Sequence, residues 1–257
     1  MISMILAIDV GNTNIVLGCI DDEKIYFAER VSTDPLKTEL EYAVSVKTVL
    51  ELYGIRKQDI TGAIISSVVP PLNSVLDSAI RTLLHVTPII VGPGVKNGLN
   101  ILMDNPKQLG ADLVVDAVAG IHEYGAPLII IDMGTATTIC AIDKNKNYIG
   151  GVIIPGVRVS LDSLISRTSQ LPKISLGNPK KVIGTNTIDS MESGMVYGQA
   201  SCLDGMIDRM EAELGYPATV IATGGLAKVI VPHCKHKIIL DDALLLKGLK
   251  IIYDKNQ

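Results

Sequence analysis

The sequence predicts an α/β fold of two layered domains, alike in the order of their elements and set around a common cleft. Three observations predict it. A short pattern occurs twice, as Leu6-Ala7-Ile8-Asp9-Val10-Gly11-Asn12-Thr13-Asn14 and as Ile129-Ile130-Ile131-Asp132-Met133-Gly134-Thr135-Ala136-Thr137. Each copy is an apolar run, then Asp, any residue and Gly, then small hydroxyl or amide residues, which reads as a buried strand entering a tight turn. The elements after each copy also repeat: strands, a helix, a strand, a Gly or Ser turn, a helix. Finally, 257 residues with 47% hydrophobic and 19% charged side chains can bury a large core.

Residues 4–10 read as the first strand and 15–20 as the second, joined by the turn Gly11–Asn14. Asp21-Asp22-Glu23 is a polar turn, and Lys24 to Val31 is a third strand, so the chain opens as an antiparallel meander. Leu36 to Tyr53 has helical spacing, with Leu36, Leu40, Val44 and Thr48 roughly on one face; Thr33 or Asp34 can cap it, and Gly54 fits its end. Ala63 to Val69 is a buried strand closed by Pro70-Pro71, Asn73 to Leu84 a helix, and Pro88 to Val91 a strand. Gly92-Pro93-Gly94 breaks the chain before an irregular segment, Lys96 to Gly110.

Ala111 to Tyr124 reads as a helix leading into the second strand–turn–strand. Gly150-Gly151 and Pro155-Gly156 mark turns, Val157 to Arg167 a helix, and Leu171 to Gly184 a loop rich in Pro and Lys. Ser190 to Leu214 is a long helix, on which Met191, Met195, Met206 and Met210 suit a packed face or a dimer interface. Val220-Ile221-Ala222 is a strand and Leu244 to Tyr253 a closing helix. The two aspartates stand 123 residues apart, close to one domain length. A boundary near residue 117 gives domains 1–117 and 118–257.

The net charge is −4, from 23 basic and 27 acidic residues, with no long basic run, so nothing argues for nucleic acid as a partner. Cys19, Cys140, Cys202 and Cys234 are widely spaced and form no C-x-x-C pair, which reads as reduced, mostly buried thiols in a cytoplasmic protein. Asp9 interrupts the apolar N-terminus before it takes signal-peptide form, and no long uncharged apolar stretch suggests a membrane span.

A strand-to-turn motif of this kind presents backbone N–H groups and hydroxyls to phosphate oxygens. Its Asp can hold a cation or the water around it. Two copies point to a nucleotide faced by both halves. Gly11 and Gly134 let backbone approach a ligand, Asn12, Thr13 and Thr135 supply side-chain donors, and Asp9 and Asp132 supply charge. The alternative is that both aspartates only cap turns. Thr223-Gly224-Gly225-Leu226-Ala227 suits an adenine ring or ribose, or is an ordinary strand-to-helix turn. Asp112, at the start of a helix, can accept a proton from a substrate hydroxyl, or is only a charge favoured by the helix dipole. His233-Cys234-Lys235-His236 has poor spacing for a closed zinc site.

Several motifs occur in a telling order: Asp9-Val10-Gly11-Asn12-Thr13, Asn105-Pro106 with Gly110-Ala111-Asp112, Asp132-Met133-Gly134-Thr135-Ala136-Thr137, Gly150-Gly151 with Pro155-Gly156, Leu171-Pro172, Gly184 with Asn186-Thr187, and Ala222-Thr223-Gly224-Gly225. In this order, over essentially the whole chain, they resemble the type III pantothenate kinases of the acetate and sugar kinase/Hsp70/actin superfamily. The resemblance implies two duplicated ribonuclease H-like (actin-like ATPase) domains around a nucleotide cleft. It also implies transfer of the ATP γ-phosphoryl to the primary hydroxyl of pantothenate, the first step of coenzyme A synthesis. Asp9, Val10, Gly11, Asn12, Thr13, Asn14, Ile15 and Val16 would hold the phosphates, with Asp9 on Mg²⁺ through water. Gly134 and Thr135 would contact ATP, and Asp132 a monovalent cation, K⁺ or NH₄⁺. Asp112 would be the general base, and Gly110, Ala111, Asp112, Leu113 and Thr187 would line the pantothenate site. The family implies a homodimer with that site at the interface.

The acceptor side departs from the family pattern. Leu113 stands where Arg usually follows the catalytic Asp, Met103 where Tyr is usual, and Asp116 where Asn is usual. The alternatives are therefore a paralogue acting on another small hydroxylated acceptor, or a non-catalytic regulator of the kind named Baf.

Overall fold

The computed structural model describes residues 4–257. β1 (Met4–Val10) is buried along its whole length, which makes it a central strand. β2 (Asn14–Ile20) pairs with it antiparallel, Asp9 opposite Val16, and β3 (Ile25–Ser32) pairs antiparallel with β2. α1 (Glu39–Leu52) leads to β4 (Ile60–Ser67), which lies parallel on the other side of β1 with Asp9 beside Ser66. α2 (Pro71–Leu84) and the short β5 (Ile89–Ile90) complete a sheet of order β3-β2-β1-β4-β5. After β6 (Asn100–Ile101) and α3 (Ala111–Tyr124), the pattern repeats. β7 (Leu128–Met133), β8 (Ala136–Ile142) and β9 (Asn147–Pro155) form the second meander, followed by α4 (Val157–Ser166) and α5 (Thr187–Leu214). β10 (Thr219–Thr223), α6 (Ala227–Ile230) and β11 (Ile238–Leu240) follow, and α7 (Leu244–Asp254) closes the chain. The second sheet runs β11-β10-β7-β8-β9-β6: the first sheet's order, with β6 added parallel to β9.

Side-chain alternation along β1 divides the first core. Leu6, Ile8 and Val10 pack with Tyr42 and Val46 of α1 and Leu76 and Ile80 of α2. Ile5 and Ala7 face Val115 and Val118 of α3 and Leu246, Leu249 and Ile252 of α7. Asp9 continues the second series, so its carboxylate stands at the strand end on the face that α3 covers. In the second sheet Ile129, Ile131 and Met133 pack with Val196, Ala200, Leu203 and Ile207 of α5. The expected methionine face lies here too: Met191 is buried, and Met195, Met206 and Met210 pack against the same core. Leu128 and Ile130 point the other way, where Gly120 lets α3 approach; a Cβ there would come within 2.7 Å of Ile130 Cδ1. Asp132 continues that series.

The described residues fall into two compact units. One comprises the chain to Leu99 with Asp104–Ala119 and Ala243–Gln257; the other comprises Asn100–Met103 and Gly120–Asp242. Helix α3 is divided at Ala119, and α7 packs with the first sheet although it follows the second in sequence.

Several local expectations change. The cap of α1 is Thr38, not Thr33 or Asp34; its hydroxyl accepts from Glu41 N–H while Glu41 accepts from Thr38 N–H. The stripe Leu36, Leu40, Val44 faces solvent, with Leu36 91% exposed, because Tyr42, Ala43, Val46, Val49 and Leu50 form the buried face. Gly150 and Gly151 lie inside β9 rather than in a turn. Gly150 (φ 137°) sits at a register shift, and a Cβ on Gly151 would meet Cys140 Cα at 2.9 Å. Cys19 and Cys140 are buried, but Cys234 is half-buried and Cys202 exposed. Among the described residues no helix is long and apolar enough to cross a membrane.

Candidate active site

In the first unit the turn after β1 is four residues wide. Gly11 N–H donates to Asn14 O at 3.0 Å, so that amide closes the turn and does not face outward. A Cβ on Gly11 would sit 3.1 Å from the same oxygen, tighter than ordinary contact. Val10 and Ile15 are buried, leaving only their backbones for a ligand, whereas Asn12, Thr13 and Asn14 are exposed. Asp9 is 9% exposed. Within the expected phosphate-binding run, the outward donors are therefore those of Asn12, Thr13 and Asn14.

Two residues that sequence reasoning missed fix this turn and the strand end before it. Thr33, directly after β3, donates its N–H to Thr13 O at 3.0 Å and its hydroxyl to Gly11 O at 2.6 Å. Val68, directly after β4, donates its N–H to Val10 O at 3.0 Å. Sequence alone offered Thr33 only as a helix cap.

Asp112 belongs to the same unit. It lies in the first turn of α3, and its Oδ1 accepts the N–H of Leu113 at 2.9 Å. Gly110 makes room for that carboxylate: a Cβ on Gly110 would run into Asp112 Oδ1, while its next neighbour is Val68 Cγ1 at 3.7 Å. Val68, whose amide bonds Val10 O, thus sets Gly110 beside the ends of β1 and β4, from which the first turn springs. Burial pushes the Asp112 carboxyl above the ordinary carboxylate range, and the bonds from the Leu113 and Asp112 amides pull the other way. Leu113 is half-buried, and Asp116 is buried at 1% exposure on the next turn.

In the second unit the turn is one residue shorter, with Gly134 N–H donating to Ala136 O at 3.0 Å. Here the residue after the third strand is Gly156, whose N–H donates to Thr135 O at 3.1 Å; a Cβ there would also meet Gly134 O at 2.6 Å. Gly224, at φ 93°, lies against Asp132: a Cβ on it would be 2.6 Å from both Asp132 Oδ1 and Met133 N. Gly134 and Thr135 are exposed and Asp132 is half-buried. Thr187 opens α5 behind the Asn186 cap, and lines an open pocket of about 570 Å³ with Gly184, Thr185, Asn186, Ser190 and Met191. That volume is in the range of small-molecule sites. Met103 is half-buried and belongs to this unit.

The histidines outside these turns have local roles. Asp204 accepts from the N–H groups of Lys235 and His236, and His236 Nε2 lies 2.8 Å from Asp208. His122 lies 2.9 Å from Glu123, and His85, at φ 58°, caps α2. Among the described residues no group of three or more His, Cys, Asp or Glu could hold a metal.

The model of the type III pantothenate kinase family matches residues 5–209. A type III pantothenate kinase of Halalkalibacterium halodurans is 51% identical over 253 residues, covering 98% of this chain and all of that protein. One from a Geobacillus species is 48% identical, covering 98% of both, and one from an Exiguobacterium species is 48% identical, covering 99% of this chain and all of that protein. Among solved structures, a Baf family transcriptional activator of Campylobacter jejuni superposes with a TM-score of 0.58 at 18% identity over 98% of each chain. Component A of the (R)-2-hydroxyglutaryl-CoA dehydratase of Acidaminococcus fermentans gives 0.58 at 16% identity over 99% of each. These two show the fold alone.

Proposed function

The chain belongs to the type III pantothenate kinase family, and on that premise we propose how its residues carry out ATP-dependent phosphorylation of pantothenate, the first step of coenzyme A biosynthesis. The turn Gly11–Asn14 receives the ATP phosphates through Asn12, Thr13 and Asn14, with Val10, Ile15 and Val16 contributing backbone. Gly134 and Thr135 contact ATP from the second turn. Asp112 orients the primary hydroxyl of pantothenate and accepts its proton. The oxygen then bonds to the γ-phosphorus as the bond to the β-phosphate oxygen breaks, giving 4'-phosphopantothenate and ADP. A carboxyl whose pKa is raised by burial is a better base than an ordinary one.

The donor set fits the cations this chemistry uses. Asp9 is one nearly buried carboxylate beside a phosphate turn, and Mg²⁺ is usually held by one or two carboxylates plus substrate phosphates and water. When bound, Mg²⁺ neutralises charge on the transferring phosphate. Asp132, with Gly224 against it, offers oxygen to a monovalent cation, K⁺ or NH₄⁺. On the acceptor side, Gly110, Ala111 and Leu113 flank Asp112 in the chain, and Thr187 lines the open pocket of its own unit. A homodimer in the cytoplasm completes the proposal.

The observation that carries this reading is Asp112: a carboxylate raised by burial, held by its own helix and by the space at Gly110, in the unit that also holds the phosphate turn. The test is ATP-dependent phosphorylation of pantothenate with Mg²⁺ and K⁺ present, for the wild type and Asp112→Asn. The variant should bind ATP and lose transfer. No turnover at roughly millimolar pantothenate, an ordinary upper KM, would refute the acceptor. A variant with wild-type turnover would refute the base.

A further inference from the structure

We propose that Thr33 is a positioning residue for the first phosphate turn, and that its hydroxyl sets the affinity for ATP without touching ATP or the acceptor. The inference rests on the reading of Gly11–Asn14 as the phosphate-binding turn.

Thr33 grips the turn at both ends. Its hydroxyl donates to Gly11 O at 2.6 Å and its amide to Thr13 O at 3.0 Å. Asn12, the residue between those two carbonyls, has no option of swinging as a unit with either neighbour while both are held. The grip is itself anchored in the core. Tyr42, 1% exposed on the buried face of α1, donates its hydroxyl to Asp34 O at 2.9 Å and accepts from Asp34 N–H at 3.0 Å. Asp34 follows Thr33 directly, so the chain from helix core to phosphate turn has no unsecured residue.

The duplicated half shows what the side chain adds. There Gly156 takes the place of Thr33 and makes the same backbone bond to its turn, Gly156 N–H to Thr135 O, but it has no hydroxyl. The second turn is one residue shorter and packs directly on Gly156. The first turn, wider and with three exposed residues, gets a second hydrogen bond in place of that packing. Preorganised donors bind phosphate better than donors that must be ordered on binding, so loss of the Thr33 hydroxyl should appear in ATP binding before anything else.

The experiment compares Thr33→Val and Thr33→Ser with the wild type. Mg·ATP binding is measured by titration calorimetry without acceptor, and KM for ATP and for pantothenate in the steady state. Thermal unfolding monitors the fold. One net hydrogen bond corresponds to about a three- to tenfold change in an equilibrium constant. Thr33→Val should weaken ATP binding and raise its KM by that factor, with the pantothenate KM unchanged, and Thr33→Ser should restore both. If the wild type binds Mg·ATP and Thr33→Val binds it equally well, the inference is overturned and the phosphate-turn reading stands. A rise in both KM values together, or no rescue by Ser, also overturns it by showing a general structural effect. A wild type that does not bind Mg·ATP overturns the reading and the inference with it.

Discussion

Gly110→Ala isolates the geometry of the base. Gly110 is not in a left-handed conformation, so alanine costs nothing in backbone strain there. The new methyl would, however, overlap Asp112 Oδ1, while Val68 Cγ1 stays at an ordinary 3.7 Å. To recover van der Waals separation the carboxylate must move by about 1 Å, a displacement that can cost on the order of a hundredfold in rate at a reacting group. The move also breaks the Leu113 N–H bond to Oδ1, worth about 1 kcal/mol net. The expected result is a kcat for pantothenate phosphorylation lowered about a hundredfold, with Mg·ATP affinity and melting temperature near those of the wild type. Steady-state kinetics and calorimetry read the two halves of that statement. A Gly110→Ala enzyme with kcat within a few-fold of wild type would refute the placement of Asp112 as the base.

Three further outcomes are expected. Burial favours the neutral acid at Asp112, so the native carboxyl keeps its proton to higher pH than the unfolded one; stability tied to that proton is present at low pH and lost as pH rises through the native value. Asp112→Asn should therefore melt above the wild type at neutral pH, with the gap closing in acid, and equal melting at pH 7 would contradict the burial argument. Leu113→Arg should lower KM for pantothenate about tenfold or more by adding a charge-assisted contact to its carboxylate, and leave KM for ATP alone. Leu76→Ala, at a fully buried position of α2, should lower unfolding free energy by about 2–5 kcal/mol in urea titrations.

The parts of the fold written in local chemistry were legible in the sequence. Both strand–turn–strand copies lie where the apolar runs and Asp-x-Gly turns put them, and Ala111–Tyr124 is a helix from end to end as expected. β6 and β11 were not legible, because they are strands only through pairing with β9 and β10, whereas β5, equally short, was marked by the apolar run before Gly92. Gly150-Gly151 misled for a related reason: the residue type that permits a turn also permits a bulge where backbone crosses closely. The stripe on α1 had the right period on the wrong side, since Tyr42, an aromatic with a polar tip, decided which face went in. In the candidate site, the aspartates and glycines stand out in the sequence by their repeated pattern, whereas the grip of Thr33, the contact of Val68 with Val10 and the packing of Gly224 on Asp132 are long-range events that no local pattern encodes.

The membership of α7 in the first unit bears on synthesis. The ribosome makes the first sheet early, yet Leu246, Leu249 and Ile252, which cover Ile5, Ala7 and Ile64, are translated after the whole of the second unit. A nascent chain carries that apolar face without its α7 cover until the whole second unit has been made, which makes the first unit the later of the two to complete and the one for holdase chaperones to shield. A stop codon at Ala243 would leave the second unit, which ends at Asp242, whole and the first unit uncovered on one side.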